Sequence, residues 1–363
     1  MKAAVCYEFN QPLRIEDVEL DPPRTGEVKV RVAATALCHS DVHLMSGDWG
    51  GALPVVPGHE AAGIVEEIGD GVTMVKPGDR VVVSLLRTCG RCFHCSTGAS
   101  HNCDAVFPLD TESRLRNANG DALQHGIKVG AFAQAVLVDQ SQLVRIPAEM
   151  PLDRAALLGC GVITGTGAVL NTARVALGES VVVIGSGGVG LNTIQAAALT
   201  GASPIIAIDR LDSKLAAAQT FGATHTLNAA ALEPRDLARS VRKLTAGRGA
   251  DYAFVTVGSV EAVTQAMTMI RRGGTVVVVG MPGVRDTASI RIFDLVWSEQ
   301  RLLGSRMGST RLHVDIPRLA DLYLRGRLKL DELITARYPL EQINDAITSM
   351  QNGEALRNVI VFE

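Results

Sequence analysis

The stretch SVVVIGSGGVGLNTIQAAALTGASPIIAIDR, residues 180–210, decides how the chain folds. A β-branched run, Val181-Val182-Val183-Ile184, enters Gly185-Ser186-Gly187-Gly188-Val189-Gly190. An Ala-rich helical segment follows, and a second apolar run ends at Asp209. Glycines at this spacing allow a tight turn, close approach of a pyrophosphate and tight helix–strand packing, with phosphate at the helix N-terminus. A lone GxGxxG is weak, because a glycine-rich turn in an ordinary βαβ unit looks the same. Here strand, helix, second strand and an acid nineteen residues past the last glycine agree. A carboxylate at Asp209 accepts hydrogen bonds from both adenosine ribose hydroxyls and repels a 2′-phosphate, which favours NAD over NADP. Arg210, its neighbour, is the residue that weakens this preference.

Downstream the alternation continues: KLAAAQTFGA as helix, THTLNA as strand, DLARSVRKLT as helix, DYAFVTVG (251–258) as strand, EAVTQAMTMI as helix and GTVVVVGM (274–281) as strand. Repeated β-α-β gives a doubly wound parallel sheet with the cofactor at the strand C-termini, so Val279-Gly280-Met281 is expected to face the nicotinamide. Upstream, residues 1–150 read differently. Short β runs such as VKVRVAATAL (28–37), GIVEEIG (63–69), DRVVVSLL (79–86) and AFAQAVLV (131–138) are split by Gly and Pro, the signature of an antiparallel, barrel-like domain.

That first domain carries most of the seven cysteines, at 6, 38, 89, 92, 95, 103 and 160. Four fall in TCGRCFHCSTGASHNC (88–103), a C-x2-C-x2-C-x7-C spacing that suits one tetrahedral Zn²⁺. An iron–sulfur cluster, a disulfide pair and four unrelated buried thiols are the rival readings. A closed four-thiolate site has no open position, so chemistry is expected elsewhere. Cys38 in ALCHSDVH (36–43), His59 in PGHEAAG (57–63) and Cys160 in LLGCGVITGTG (157–167) together form one of the known catalytic zinc arrangements, though singly each reads as packing.

The order Cys38-x-Ser40-Asp41-x-His43, then Gly58-His59-Glu60, the four-cysteine lobe, and Gly159-Cys160-Gly161 resembles the zinc-containing medium-chain alcohol dehydrogenases over nearly the whole chain. Among them it is similar to bacterial aryl-alcohol dehydrogenases and to mycothiol-dependent formaldehyde dehydrogenases. The resemblance implies a GroES-like antiparallel β-barrel catalytic domain, residues 1–158 and 307–363 with a structural zinc lobe at 88–104, and a Rossmann coenzyme domain, 159–306. It implies two zinc ions, a catalytic one on Cys38, His59 and Cys160 and a structural one on Cys89, Cys92, Cys95 and Cys103. Cys6 is left as packing.

A zinc lowers the pKa of an alcohol, and the released proton needs a way out. Ser40 can accept it and His43 deliver it to solvent, the positions the family uses as a relay. Against this, Ser40 reads as a turn cap and His43 as a solvated ring. Asp41 is expected to hold the other ring nitrogen of His59, or to cap a short helix; Glu60 is a carboxylate beside the metal or a buried ion-pair partner. The resemblance further places His39 and Arg357 on the pyrophosphate, Thr164 against the nicotinamide, Lys214 near the adenosine ribose, and Trp49 and Leu85 in the substrate pocket. It implies subunit pairing through the strand at 275–281 and the SIRIF segment (289–293), giving a homodimer or homotetramer. The 106–130 stretch reads as a pocket-edge loop in which Arg114 and Arg116 could form a cationic mouth for a thiol adduct.

The implied activity is reversible oxidation of a primary or secondary alcohol, including bulky or aromatic ones, with NAD⁺. A thiol-adduct formaldehyde dehydrogenase is the alternative, and a non-catalytic NAD-binding or redox-sensing protein the reading from another class. A net charge of −3 gives no basic footprint for nucleic acid or an anionic membrane. No signal-peptide h-region and no apolar run of about 18 residues is evident, so a cytoplasmic setting is expected.

Overall fold

The computed structural model describes residues 1–362. The chain divides into two compact units, one made of Met1–Gly161 with Arg311–Glu363 and the other of Val162–Thr310.

The first unit holds two sheets. In the larger, strands run in the order Leu143–Arg145, Arg80–Val83, Glu60–Ile68, Glu27–Ala36, Arg357–Val361 and Ile334–Tyr338, with Ala135–Asp139 also paired to Glu27–Ala36. Its interior is valine-rich (Val28, Val30, Val32, Val65, Val81, Val83, Val136 and Val138), as expected where β-branched side chains fill a closed, pleated core. The smaller sheet joins Lys2–Val5, Arg14–Leu20, Leu115–Asn117, Ala122–His125 and Val55–Val56.

That smaller sheet corrects one expectation. The 106–130 stretch is no loose loop: Leu115–Asn117 and Ala122–His125 pair as an antiparallel hairpin, and Leu115 and Leu123 are fully buried beneath it. Asn119-Gly120 makes the turn, with Gly120 in the left-handed region at φ 84°.

The second unit is a six-stranded sheet ordered His225–Asn228, Ile205–Asp209, Val181–Ile184, Ala250–Val255, Ile270–Val278 and Arg301–Gly304. All five pairings are parallel. Its inner strands Ile205–Asp209 and Val181–Ile184 are near-continuous apolar runs, as expected where helices cover a parallel sheet on both faces. The Val181–Ile184 strand feeds the helix Gly188–Thr200 through the glycine turn. A Cβ on Gly190 would sit 1.8 Å from the Gly185 carbonyl, so no other residue fits there.

The expected subunit-pairing segments are corrected here as well. Ile270–Val278 lies inside the sheet with Ala250–Val255 on one side and Arg301–Gly304 on the other, so it offers no free edge. Residues 289–293 form no strand; the helix Ile292–Trp297 begins within them. The edge is Arg301–Gly304, exposed along its length. No single helix among the described residues is long and apolar enough to cross a membrane.

Candidate functional site

Register brings the buried metal-ligating residues together. Antiparallel pairing sets Ala36 opposite Glu60, so Cys38, just past one strand, meets His59, just before the other. Ala61 in turn pairs with Val83, and the next residue, Ser84, donates its hydroxyl to the Gly159 carbonyl at 2.7 Å. Gly159 lies so close to this strand end that a Cβ would stand 2.7 Å from the Val83 carbonyl. Cys160 follows at the break between two helical segments. Segments whose ligands lie 21 to 122 residues apart in sequence thus converge on one point.

There the ligand atoms of Cys38, His59, Glu60 and Cys160 all lie within 4.8 Å of one another, and all four residues are buried. His59 Nδ1 sits 2.8 Å from Asp41 Oδ1, which fixes the ring and leaves Nε2 for the cluster. That Nε2 is buried without a hydrogen-bond partner, as is Glu60 Oε1. An orphaned ring nitrogen facing two thiols costs free energy unless a cation takes it, and these donors fit zinc. Asp41 does two jobs: it also accepts from the backbone N–H of Cys38 (3.1 Å) and of Gly58 (3.1 Å), capping the helix His39–Ser46.

Electrostatics agree. The hydrogen bond from Cys160 holds the Cys38 thiol well below its ordinary pKa, against the opposing pull of burial. Cys160 is pushed the opposite way, first by that same bond and then by burial. Burial alone would lower His59, but the Asp41 carboxylate overrides it and raises the ring well above its ordinary value. A low-pKa thiolate beside an imidazole seated on a carboxylate is a donor set that a cation completes by displacing the ring proton.

Glu60 and Arg357 answer each other. Arg357 Nη2 lies 2.5 Å from Glu60 Oε2, and Gly161 N–H donates to the same oxygen at 3.2 Å. Burial still pushes the Glu60 carboxyl up to about 7 despite the guanidinium. Glu60 is therefore both a buried ion-pair partner and a neighbour of the ligands. Arg357, which the sequence reading assigned to a pyrophosphate, is held against Glu60 within the first unit.

The second cluster, Cys89, Cys92, Cys95 and Cys103, also falls within 4.8 Å. Cys92 Sγ and Cys103 Sγ are 3.8 Å apart, the edge of a tetrahedron with metal–sulfur bonds of about 2.3 Å. Backbone N–H groups of Cys89, Cys92 and Cys95 point at the sulfurs of Cys103, Cys89 and Cys92, at 3.4, 3.3 and 3.5 Å, which favours thiolates. All seven cysteines are free, so neither cluster is disulfide-bonded. Cys6 is buried among Met45, Phe132 and Ile360 and reads as packing.

The remaining predicted residues fall as follows. Ser40 is half-buried and His39 exposed at the start of the helix His39–Ser46. His43 binds Asp48 through Nδ1 at 2.9 Å and stacks on Trp49, with ring centroids 5.0 Å apart; Trp49 is thus a support for His43. Leu85 packs, half-buried, against the valine core. In the second unit, Gly185 takes φ 96° and Gly187 caps the helix carrying Gly188, Val189 and Gly190. Asp209 ends its strand and accepts backbone N–H groups from Ser186 (2.7 Å), Arg210 (2.7 Å) and Leu211 (3.1 Å). Arg210 is exposed and Lys214 lies on the helix that follows. Thr164 is buried with its hydroxyl 3.7 Å from Met307 Sδ. Val279 is buried, Met281 exposed, and Gly280 is forced, since a Cβ would meet Val257 at 2.4 Å.

Arg114 departs from expectation. It is 2% exposed and paired with Glu27 at 3.0 Å and Glu112 at 2.9 Å, so it forms no pocket mouth; Arg116 is exposed. Arg87, which the sequence reading passed over, is the other buried arginine of this region. Its only sequence signal is its place two residues before Cys89.

Comparison with known proteins agrees with both units. A family model described as an alcohol dehydrogenase GroES-like domain matches residues 24–148, and one described as a zinc-binding dehydrogenase matches residues 188–325. An NDMA-dependent alcohol dehydrogenase from Amycolatopsis methanolica is 39% identical over 371 residues, 99% of this chain and 98% of the relative. An S-(hydroxymethyl)glutathione dehydrogenase from Saccharomyces cerevisiae is 38% identical over 373 residues, 99% of this chain and 95% of the relative. The crystal structure of a benzyl alcohol dehydrogenase from Acinetobacter calcoaceticus superposes with a TM-score of 0.92 at 31% identity, covering 100% of this chain and 99% of that one.

Proposed function

This chain belongs to the zinc-binding alcohol dehydrogenases, an oxidoreductase family acting on alcohols, and from that premise we propose that it oxidises a bulky or aromatic alcohol with NAD⁺. The observation that carries the reading is the buried Cys38, His59, Cys160 set with its orphaned Nε2. A zinc held there would lower the pKa of the substrate hydroxyl and stabilise the oxyanion, and NAD⁺ would accept the hydride at C4 of its ring.

The chain's own residues do the rest. Asp41 orients the His59 ring through Nδ1, so that Nε2 is the nitrogen turned toward the metal. Glu60, tied to Arg357 and to Gly161 N–H, steadies the backbone beside Cys160. Ser40 takes the hydroxyl proton and His43 passes it to solvent; the ring is partly exposed and oriented by Asp48 and Trp49. The glycine turn holds the pyrophosphate, and Asp209 at the strand end holds the adenosine ribose and repels a 2′-phosphate. His39, a weaker clamp on phosphate than arginine, would favour release of the reduced coenzyme.

The preference for bulky alcohols is supported by likeness to the benzyl alcohol enzyme and by Leu85, smaller than an aromatic. A second reading, oxidation of a hydroxymethyl-thiol adduct, is supported by the yeast relative. The burial of Arg114 argues against it, since that cation is committed to Glu27 and Glu112. The exposed edge Arg301–Gly304 beside exposed Phe293, Val296 and Trp297 suits sheet extension between two copies, hence a homodimer or a tetramer built from it.

One panel tests the reading: benzyl alcohol, short aliphatic alcohols, and formaldehyde with and without mycothiol or glutathione, each with NAD⁺, NADP⁺ or NDMA as acceptor. Benzyl alcohol with NAD⁺ is expected to give the highest kcat/KM. Turnover confined to the thiol adduct, or to NADP⁺, would replace it.

A further inference from the structure

The four-cysteine lobe has no core of its own. Neither the short helix Phe93–Ser96 nor the turn Ser100–Asn102 buries a residue, and Phe93 and Val106 stand about three-quarters exposed. Its shape therefore depends on the metal it would hold and on how its two ends are tied down.

Both ends meet at Arg87. This side chain is 4% exposed and spends its guanidinium on three separate segments. Nε donates to Gln142 Oε1 at 2.7 Å, Nη1 to Asp110 Oδ1 at 2.6 Å, and Nη2 to the Lys128 carbonyl at 3.0 Å. The Phe107 ring lies against the same group, 5.6 Å from its centre. Arg87 stands just before the lobe and Phe107 and Asp110 just after it, so the ion pair closes the loop that carries all four sulfurs. Asp110 is itself braced by the Phe107 N–H at 3.0 Å. Gln142 is braced by bonds to the carbonyls of Ser84 (2.8 Å) and Lys128 (3.2 Å), and Thr88 N–H is tied to Ser141 Oγ at 3.0 Å.

A buried guanidinium is a costly way to fill space, and an apolar side chain would fill it at lower cost. What an apolar residue cannot do is hold three chain segments at fixed angles, which the planar fork does. We propose that Arg87, through its ion pair with Asp110, is a positioning residue for the metal of the Cys89, Cys92, Cys95, Cys103 lobe and sets how slowly that metal is lost. The inference rests on the reading that this lobe binds zinc. With the clamp closed, a thiolate that dissociates stays beside the ion and rebinds. With it open, a loop of about two dozen residues gains freedom and the sulfurs drift apart.

The test measures zinc loss to the chromogenic chelator 4-(2-pyridylazo)resorcinol in the full chain. A Cys38→Ser background leaves the lobe as the only zinc site. R87M and D110N are expected to speed zinc loss about tenfold, the effect typical of groups that brace metal ligands, with R87K intermediate. R114M serves as the control, because it breaks a pair with Glu27, more deeply buried than Arg87–Asp110, that does not span the lobe ends. It should lower Tm but leave the zinc loss rate within about twofold of the parent. Should R87M fail to fold, D110N carries the test, since Asp110 lies nearer the surface. Parental rates in R87M and D110N, or equal acceleration by R114M, overturn the proposal. A parent chain with no lobe zinc overturns the zinc reading itself, before any clamp variant is compared.

Discussion

The two sulfur clusters use one chemistry in opposite settings. Cys38 and Cys160 are buried with His59 and Glu60 at the meeting of several strands, each placed by long-range pairing. Cys89, Cys92, Cys95 and Cys103 are half-exposed within fifteen residues of chain and placed by local turns. The buried cluster mixes donor types and leaves one ring nitrogen unspent. The lobe spends all its donors on one another. The contrast is the one expected if, as proposed, the buried centre reacts and the lobe holds a loop.

The largest expected effect follows from the buried cluster. Cys38→Ser should cut kcat by about a thousandfold or more while zinc falls from two per chain to one and the far-UV CD spectrum is kept. An unfolded product would mean that the buried cluster is structural too, and the contrast would collapse.

Cys92→Ser should do the reverse. With a thiolate missing, the lobe loses its cross-link, and Tm should fall on the order of 10 °C. The protein that remains folded should turn over at close to the parental rate. Strong inactivation without loss of stability would show that the lobe reaches the chemistry.

Asp41→Asn tests how the buried centre is aimed. The amide can still accept from Gly58 N–H, but it no longer holds the His59 N–H with a full charge. Metal affinity at that centre should fall about 10- to 100-fold, read by zinc titration against a chelator, with lobe zinc unaffected.

How much of this was legible in the sequence follows the same division. The lobe could be read because its ligands are close in sequence and their spacing is the signal. Asp209 and the glycine turn could be read because strand, turn and helix are contiguous. The convergence of Cys38, His59 and Cys160 was suggested by residue type and family likeness, whereas its physical cause, the Ala36–Glu60 register, is a tertiary fact. Arg114 was misjudged for the same reason, since the Glu27 that buries it lies 87 residues away. The 106–130 hairpin is a different kind of miss. Asn119-Gly120 is a hairpin-turn signal, and the polar residues in the strands on either side hid it. The SIRIF segment alternates like a strand but begins a helix, since five residues are too few for periodicity to decide.

The smallest expected effect lies in the framework on which the lobe stands. His125 Nδ1 is buried without a partner, while Nε2 faces the Arg114 N–H at 3.4 Å. Burial lowers this histidine to about 4; a hydrogen bond to the Val129 backbone opposes it, the charges of Arg87 and Arg114 add to it, and Glu27 gives only weak help. The folded protein therefore holds it neutral over a range in which the unfolded chain, titrating near 6.5, binds a proton. Stability is lost as pH falls below about 6.5, and the loss continues until about 4. Compared with His125→Gln, which cannot titrate, the parent should lose about 1 kcal/mol more between about pH 7 and pH 5.5 in urea unfolding. Zinc loss from either cluster in acid affects both proteins alike and cancels in the difference. A flat difference would mean that the histidine finds a proton acceptor in the fold.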